Sequence, residues 1–73
     1  MEPMTIHRDW SIDATPEPHE NAFRAQAWVQ REARDGEAHG DCFIFSELGD
    51  YATPGDAVSR ATAWAIRWLN END

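Results

Sequence analysis

Apolar and polar residues alternate along the start of the chain, from Ile6 to Ala14. Trp10 and Ile12 share the parity of these two end residues, and polar residues occupy the other parity. Successive side chains of a strand point to opposite faces, so this pattern is typical of a strand with one buried face. We therefore predict a first strand over residues 6–14.

The next segment, residues 15–21, is predicted to be a loop. It contains Pro16 and Pro18, and proline cannot donate a backbone hydrogen bond to a neighbouring strand. Two prolines so close together exclude a central strand here.

A second alternation covers residues 22–32 and predicts the second strand. Its apolar parity consists of Phe23, Ala25, Ala27 and Val29. The segment is also rich in Ala, Arg, Gln and Glu, which favour a helix, but the regular alternation favours a strand. Trp28 falls on the opposite parity and is out of phase with the other apolar residues.

The third predicted strand, residues 41–46, is apolar on both faces. Phe43 and Phe45 share one parity, while Cys42 and Ile44 share the other. The register of this strand decides which pair faces the core, and the sequence leaves both alternatives open.

A helix is predicted to begin at Thr53, which can cap it, with Pro54 in the first position and Asp56 in the third. Apolar residues then recur at helical spacing as far as Leu69. The apolar stripe consists of Ala57, Ala61, Trp64, Ala65, Trp68 and Leu69.

These elements predict an α+β fold in one domain, residues 1–73. The order is β-β-β-α, a three-stranded antiparallel meander with one C-terminal α-helix packed on one face. The predicted core is Trp10, Ile12, Phe23, Ala25, Ala27, Val29, Ala57, Ala61, Trp64, Ala65, Trp68 and Leu69.

One face of such a sheet is left uncovered by the helix, and Trp28 should lie there. The predicted interface consists of Trp28, Phe43 and Phe45, with Cys42 and Ile44 replacing the two phenylalanines in the other register. In a second interpretation, the loop 15–21 or the N-terminal arm covers Trp28. Pairing of the outer strands is a further route to association.

The chain is strongly acidic, with 14 Asp and Glu, six Arg and a net charge of −8. This charge repels phosphate, so we expect neither nucleic acid nor a membrane surface as a partner. It would suit a basic protein partner, or would simply keep the protein soluble. With one cysteine and no apolar N-terminal run, we expect a cytoplasmic location.

Two groups of residues resemble parts of chemical sites. His39 and Cys42, with Glu37 and Asp41, have part of the spacing of a metal site, but a structural zinc needs four ligands. His7 and Asp9 form the second group, which could orient a histidine for acid–base chemistry. No catalytic motif surrounds either group, so we expect no cofactor, no metal and no catalysis.

The chain is similar to small uncharacterised proteobacterial proteins with a β-β-β-α order. The strings 8–12 (RDWSI) and 54–57 (PGDA), followed by Trp64, Trp68 and Leu69, carry this similarity. The similarity implies a fold and transfers no catalytic residue. More loosely, the chain resembles antitoxins with a strand-rich module similar to double-stranded-RNA-binding domains, although it lacks their N-terminal helix and basic face.

Together these observations predict a small acidic interaction protein without catalysis, homodimeric through the uncovered face of its sheet. The alternative is an acidic inhibitor or antitoxin-like protein that occupies a basic site on a partner protein.

Overall fold

A computed structural model describes residues 4–72. The α+β class, the antiparallel sheets and the C-terminal helix are confirmed, but the three-stranded meander is wrong. The described residues form seven strands in two sheets, followed by α1 (Pro54–Asn72). The strands are β1 (Met4–His7), β2 (Trp10–Asp13), β3 (Glu17–His19), β4 (Ala22–Arg24), β5 (Ala27–Arg31), β6 (Asp41–Phe45) and β7 (Asp50–Tyr51).

All strand pairs are antiparallel. One sheet has four strands in the order β1-β2-β5-β6, and the other has three in the order β3-β4-β7. The helix packs against β2, β4, β5 and β7, so it covers strands of both sheets.

The predicted first strand, residues 6–14, is in fact a hairpin. Its turn is Arg8-Asp9, with Arg8 at a positive φ of 57°, and His7 lies opposite Trp10. A turn of two residues reverses the parity of the chain, so Ile6 pairs with Ser11 and lies on the face opposite to Trp10.

The predicted loop 15–21 is the tip of a second, longer hairpin. Ile12 pairs with Val29 and Pro18 pairs with Phe23 in one continuous register, although the strands are interrupted between β2 and β3. The turn at its tip is Glu20-Asn21, with Glu20 at a φ of 54°. Because β3 is at the edge of its sheet, Pro18 removes no ladder hydrogen bond that the sheet requires.

Between β6 and β7 the chain bulges over residues 46–49. The Leu48 amide donates to the Ala25 carbonyl, and the Ala25 amide donates to the Gly49 carbonyl. Glu47 and Gly49 adopt positive φ angles of 59° and 111°. The bulge transfers the chain from the edge of one sheet to the edge of the other.

The helix begins as predicted. The Thr53 hydroxyl accepts a hydrogen bond from the Asp56 amide at 3.1 Å, which satisfies one of the free amides of the first turn. The helix continues three residues beyond Leu69, and the Asn72 side chain donates to the Trp68 carbonyl at 2.8 Å.

The core lies between the helix and the sheets. Most predicted core residues are buried, but Trp64 is an exposed aromatic, and Phe23 and Trp68 are only partly buried. Ala14 and Val58 join the core. The buried apolar residues are Trp10, Ile12, Ala14, Ala25, Ala27, Val29, Ala57, Val58, Ala61, Ala65 and Leu69. Among residues 4–72 there is no helix with the length and apolar character needed to cross a membrane.

Candidate protein–protein interface

Trp28 lies on the sheet face opposite to the helix. In β5, Ala27, Val29 and Arg31 are buried, whereas Trp28 and Gln30 are exposed. Since side chains alternate along a strand, the two exposed residues point away from the helix. The prediction that Trp28 points away from the helix, which was made from its place in the alternation, is therefore confirmed.

The strand register places eight residues on this face, in two rows that cross all four strands. The first row is Met4, Asp13, Trp28 and Ile44; the second is Ile6, Ser11, Gln30 and Cys42. We call these eight residues the open face.

The open face carries most of the large apolar side chains that the described structure exposes. Met4 and Trp28 have 49% and 51% of their surface exposed, and Ile44 and Ile6 have 58% and 70%. Isolated exposed apolar residues are normal, but a contiguous group marks a candidate binding surface.

Phe43 and Phe45, two of the three predicted interface residues, lie on the other face. They pair with Val29 and Ala27, whose side chains face the helix. The Phe45 ring centroid lies 4.7 Å from that of Trp64, and the Phe43 centroid lies 5.1 Å from that of Trp68. The prediction that Phe43 and Phe45 share the open face with Trp28 is thus wrong, and the alternative register, with Cys42 and Ile44 on that face, is the observed one.

Sequence reasoning missed Met4 and Ile6. Alternation of Met4 and Ile6 with Thr5 and His7 is visible in the sequence, but it indicates a separate strand only if a turn follows His7. The turn residues contain no glycine, so the usual signal for a tight hairpin is missing.

The interpretation in which residues 15–21 cover Trp28 is wrong, because these residues form β3 and its turn and pair with β4. The other candidate cover, the N-terminal arm, includes residues 1–3, which lie outside the described residues. Trp28 is half exposed among the residues described.

The open face contains a single carboxylate, that of Asp13. Its Oδ1 accepts hydrogen bonds from the Thr15 amide at 3.0 Å and from the Thr15 hydroxyl at 2.6 Å. The other seven residues are uncharged, in a chain that carries 14 acidic residues. The open face itself therefore carries one of the 14 acidic residues, while Asp9, Glu32 and Asp41 lie at its rim.

Concave regions adjoin both rows. One, with a volume of about 670 Å³, is lined by all four residues of the second row, by Gly40 and Ala33, and by the charged residues Asp9, Arg31, Glu32, Arg34 and Asp41. A smaller one of about 80 Å³ lies beside Met4, Asp13 and Trp28. The open face therefore has concave regions into which protruding side chains of a partner can fit.

The loop of residues 32–40 is anchored by Arg31, whose side chain is buried. The guanidinium donates to Glu37 at 2.7 Å and also to Asp41, and it lies over the Trp10 ring, 5.5 Å from its centroid. The Glu37 carboxylate also accepts the Arg34 amide at 2.7 Å. Hydrogen bonds from Arg31 and then from the Arg34 backbone lower the pKa of Glu37 from 4.5 to about 2.

The two groups of chemical candidates do not form sites. Glu37 and Asp41 bind Arg31 instead of gathering around His39 and Cys42. His7 Nε2 lies 3.0 Å from Asn70 Oδ1, and Asp9 forms an ion pair with Arg34 at 3.1 Å. Within residues 4–72, no three His, Cys, Asp or Glu side chains are grouped so that they could hold a metal ion.

Comparison of the chain with protein-family models, with curated proteins and with solved structures found no match.

Proposed function

We propose that this protein is a small, acidic, single-domain interaction protein without catalysis, which pairs with a second copy through its open face. The observation that carries the proposal is the group of four exposed apolar side chains, Met4, Ile6, Trp28 and Ile44, on a sheet face that residues 4–72 leave uncovered. The proposal includes a reducing cytoplasm, where the single cysteine, Cys42, remains a thiol.

Charge favours a second copy over a basic partner at this face. Two molecules of net charge −8 repel each other, so they associate best where carboxylates are few. A surface that recognises a basic protein would instead present carboxylates to it. The open face, with Asp13 as its single carboxylate, fits the first case.

The expected association is weak. A large side chain has roughly 150–250 Å² of surface, so the four apolar residues together expose on the order of 500 Å² per copy. Burying this area on both copies gives about 1,000 Å², the lower limit for a specific interface. We therefore expect a dissociation constant in the micromolar range.

The test compares Trp28→Glu with Ala63→Glu. Ala63 is exposed on the helix, so the control adds the same charge outside the open face. Because Trp28 is half exposed, its replacement should preserve the fold, as circular dichroism would verify. We expect sedimentation to show a lower average mass for Trp28→Glu than for the wild type and the control at every micromolar concentration.

Cys42 provides a local reporter, since it is the single cysteine and lies exposed on the open face. Its alkylation by iodoacetamide should slow at higher concentration, and it should slow more strongly in the wild type than in Trp28→Glu. Alkylation independent of concentration in the wild type, or a wild-type mass for Trp28→Glu, would overturn the proposal.

A further inference from the structure

The strand β6 is at the end of the four-stranded sheet. Within residues 4–72 its only strand neighbour is β5, and its residues are exposed except for Phe45, which is half-buried. The outer backbone groups of an edge strand are a ready template for another strand. Natural proteins usually protect such an edge with proline, lysine or inward-pointing charges.

Residues 42–45 of β6 have no such protection, and the one inward-pointing charge of the strand is Asp41 at its beginning. The strand contains neither proline nor lysine, and Asp41 is its one charged residue. The Asp41 carboxylate is bound by the buried Arg31 guanidinium. The remaining residues, 42–45, are apolar, so the edge combines free backbone groups with side chains that favour burial.

An aromatic cluster adjoins this edge on the helix side. It consists of Phe43, Phe45, Trp64 and Trp68. Phe45 lies 4.7 Å from Trp64 and 4.9 Å from Trp68 between ring centroids, and Phe43 lies 5.1 Å from Trp68. Phe43 and Trp64 are each 39% exposed, so the cluster is only partly covered by the chain itself.

We propose that β6 pairs antiparallel with β6 of a second copy, about a two-fold axis at Phe43, and joins the two sheets into one. In this register Phe43 lies opposite the partner's Phe43, and Cys42 lies opposite the partner's Ile44. Directly opposed residues share a face of the sheet, so the aromatic clusters of the two copies meet on the helix side.

The charge and the symmetry of β6 favour a second copy of this chain as the source of the partner strand. A basic peptide would need free carboxylates along the edge, and the one carboxylate of β6 is already bound by Arg31. Antiparallel pairing of identical strands is self-complementary and closes after two copies. The same aromatic surface is presented by both, and pairs of aromatic rings add to the stabilisation.

This edge contact is separate from the open-face contact of the proposed function and does not depend on it. The edge contact uses the outer backbone of β6 and the aromatic cluster on the helix side, and of the open face it involves only Cys42 and Ile44 at the edge. The open-face contact uses the whole of the opposite side. The two contacts can therefore form together, and assemblies larger than two copies follow when both do.

Hydrogen exchange of the full chain at low and high micromolar concentrations tests the edge contact, in the wild type and in Trp28→Glu. We expect the outward-pointing amides of residues 41–45 to exchange at least tenfold more slowly at high concentration in both proteins. Amides of β1, the opposite edge of the sheet, are the internal control. Exchange of β6 that is independent of concentration, or protection that disappears in Trp28→Glu, would overturn the proposal.

A second variant, Phe43→Lys, places a charge at the two-fold axis, and Ala63→Lys is its matched control. We expect Phe43→Lys to lose the protection of residues 41–45 while Cys42 alkylation still depends on concentration. Protection that survives in a folded Phe43→Lys would overturn the proposed register. Should this variant not fold, exchange in the wild type and in Trp28→Glu still decides the outcome.

Discussion

Gly40, the residue before β6, occupies a position where no side chain fits. A Cβ at Gly40 would overlap the Arg31 carbonyl oxygen and lie 2.8 Å from the carbonyl carbon of Glu32. Both atoms belong to the backbone at the end of β5, so neither can move without disturbing the strand. Glycine here allows the loop of residues 32–40 to close against β5 and aligns β6 with it.

Replacing Gly40 by alanine should therefore destabilise the protein by about 3 kcal/mol, the upper part of the usual range for overpacking. Gly36→Ala is the matched control, because Gly36 has a φ of +87° but nothing within 4 Å of an added Cβ. It should cost only about 1–2 kcal/mol, from the left-handed backbone. Urea unfolding measures both, and equal losses for the two variants would contradict this explanation.

At the scale of elements, the Glu37 carboxylate ties the loop between β5 and β6 to the end of β5. Glu37 accepts hydrogen bonds from the Arg31 guanidinium and the Arg34 amide. Together they lower the pKa of Glu37 from 4.5 to about 2. A carboxyl group whose pKa is lower in the folded state stabilises the fold above its unfolded pKa. This stabilisation is lost as the pH falls through the folded pKa.

The variant Glu37→Gln should make this contribution visible. The difference in unfolding free energy between wild type and variant should be largest above pH 4.5 and should shrink as the pH falls towards 2. Unfolding by urea at pH 6 and pH 3 measures it. Asp35→Asn, which removes an exposed carboxylate from the same loop, is the control. If the difference in unfolding free energy does not change with pH, the charge of Glu37 does not contribute to the stability of the fold.

The elements that the sequence predicted well are those with one dominant period. In β5, burial alternates between Ala27 and Trp28, and α1 keeps an apolar stripe beneath its cap at Thr53. Each of these segments is buried on one side only, so the alternation or spacing of its apolar residues predicts which side that is. The open position of Trp28 followed from the same argument.

The elements that the sequence did not predict depend on pairing with distant residues. Arg8 and Glu20 adopt positive φ angles in turns without glycine, so two hairpins gave no turn signal. The strand β6 is apolar on both faces, and only its pairing of Phe43 with Val29 decides which face is open. This register is a tertiary property, which explains why the wrong pair of β6 residues was predicted to share the open face with Trp28.

At the scale of the whole molecule, a net charge of −8 opposes any contact between copies. Repulsion between exposed charges is screened by salt, with a screening length of about 10 Å at 0.1 M and about 3 Å at 1 M. Self-association should therefore strengthen as salt is added. An acidic inhibitor bound to a basic partner would show the opposite dependence, because salt weakens attraction between opposite charges.

Removing the charge of Asp13 should have opposite effects in the two proposed functions. It should strengthen pairing of two open faces, but it should weaken binding of the open face to a basic partner. Asp13→Asn keeps an oxygen that can accept from Thr15 but removes the charge from the open face. If a second copy binds there, the repulsion between the two carboxylates disappears. Two charges about 4 Å apart in water interact by about 1 kcal/mol, so association should tighten by up to about fivefold in sedimentation.

Asp35→Asn changes the net charge equally but lies in the loop of residues 32–40, outside the open face, and should change association much less. Weaker association of Asp13→Asn would contradict pairing of the open faces. Tighter association of both variants to the same extent would mean that net charge alone governs the contact. Stronger association of Asp13→Asn alone, together with strengthening by salt, would support pairing through the open face, because this carboxylate lies on that face.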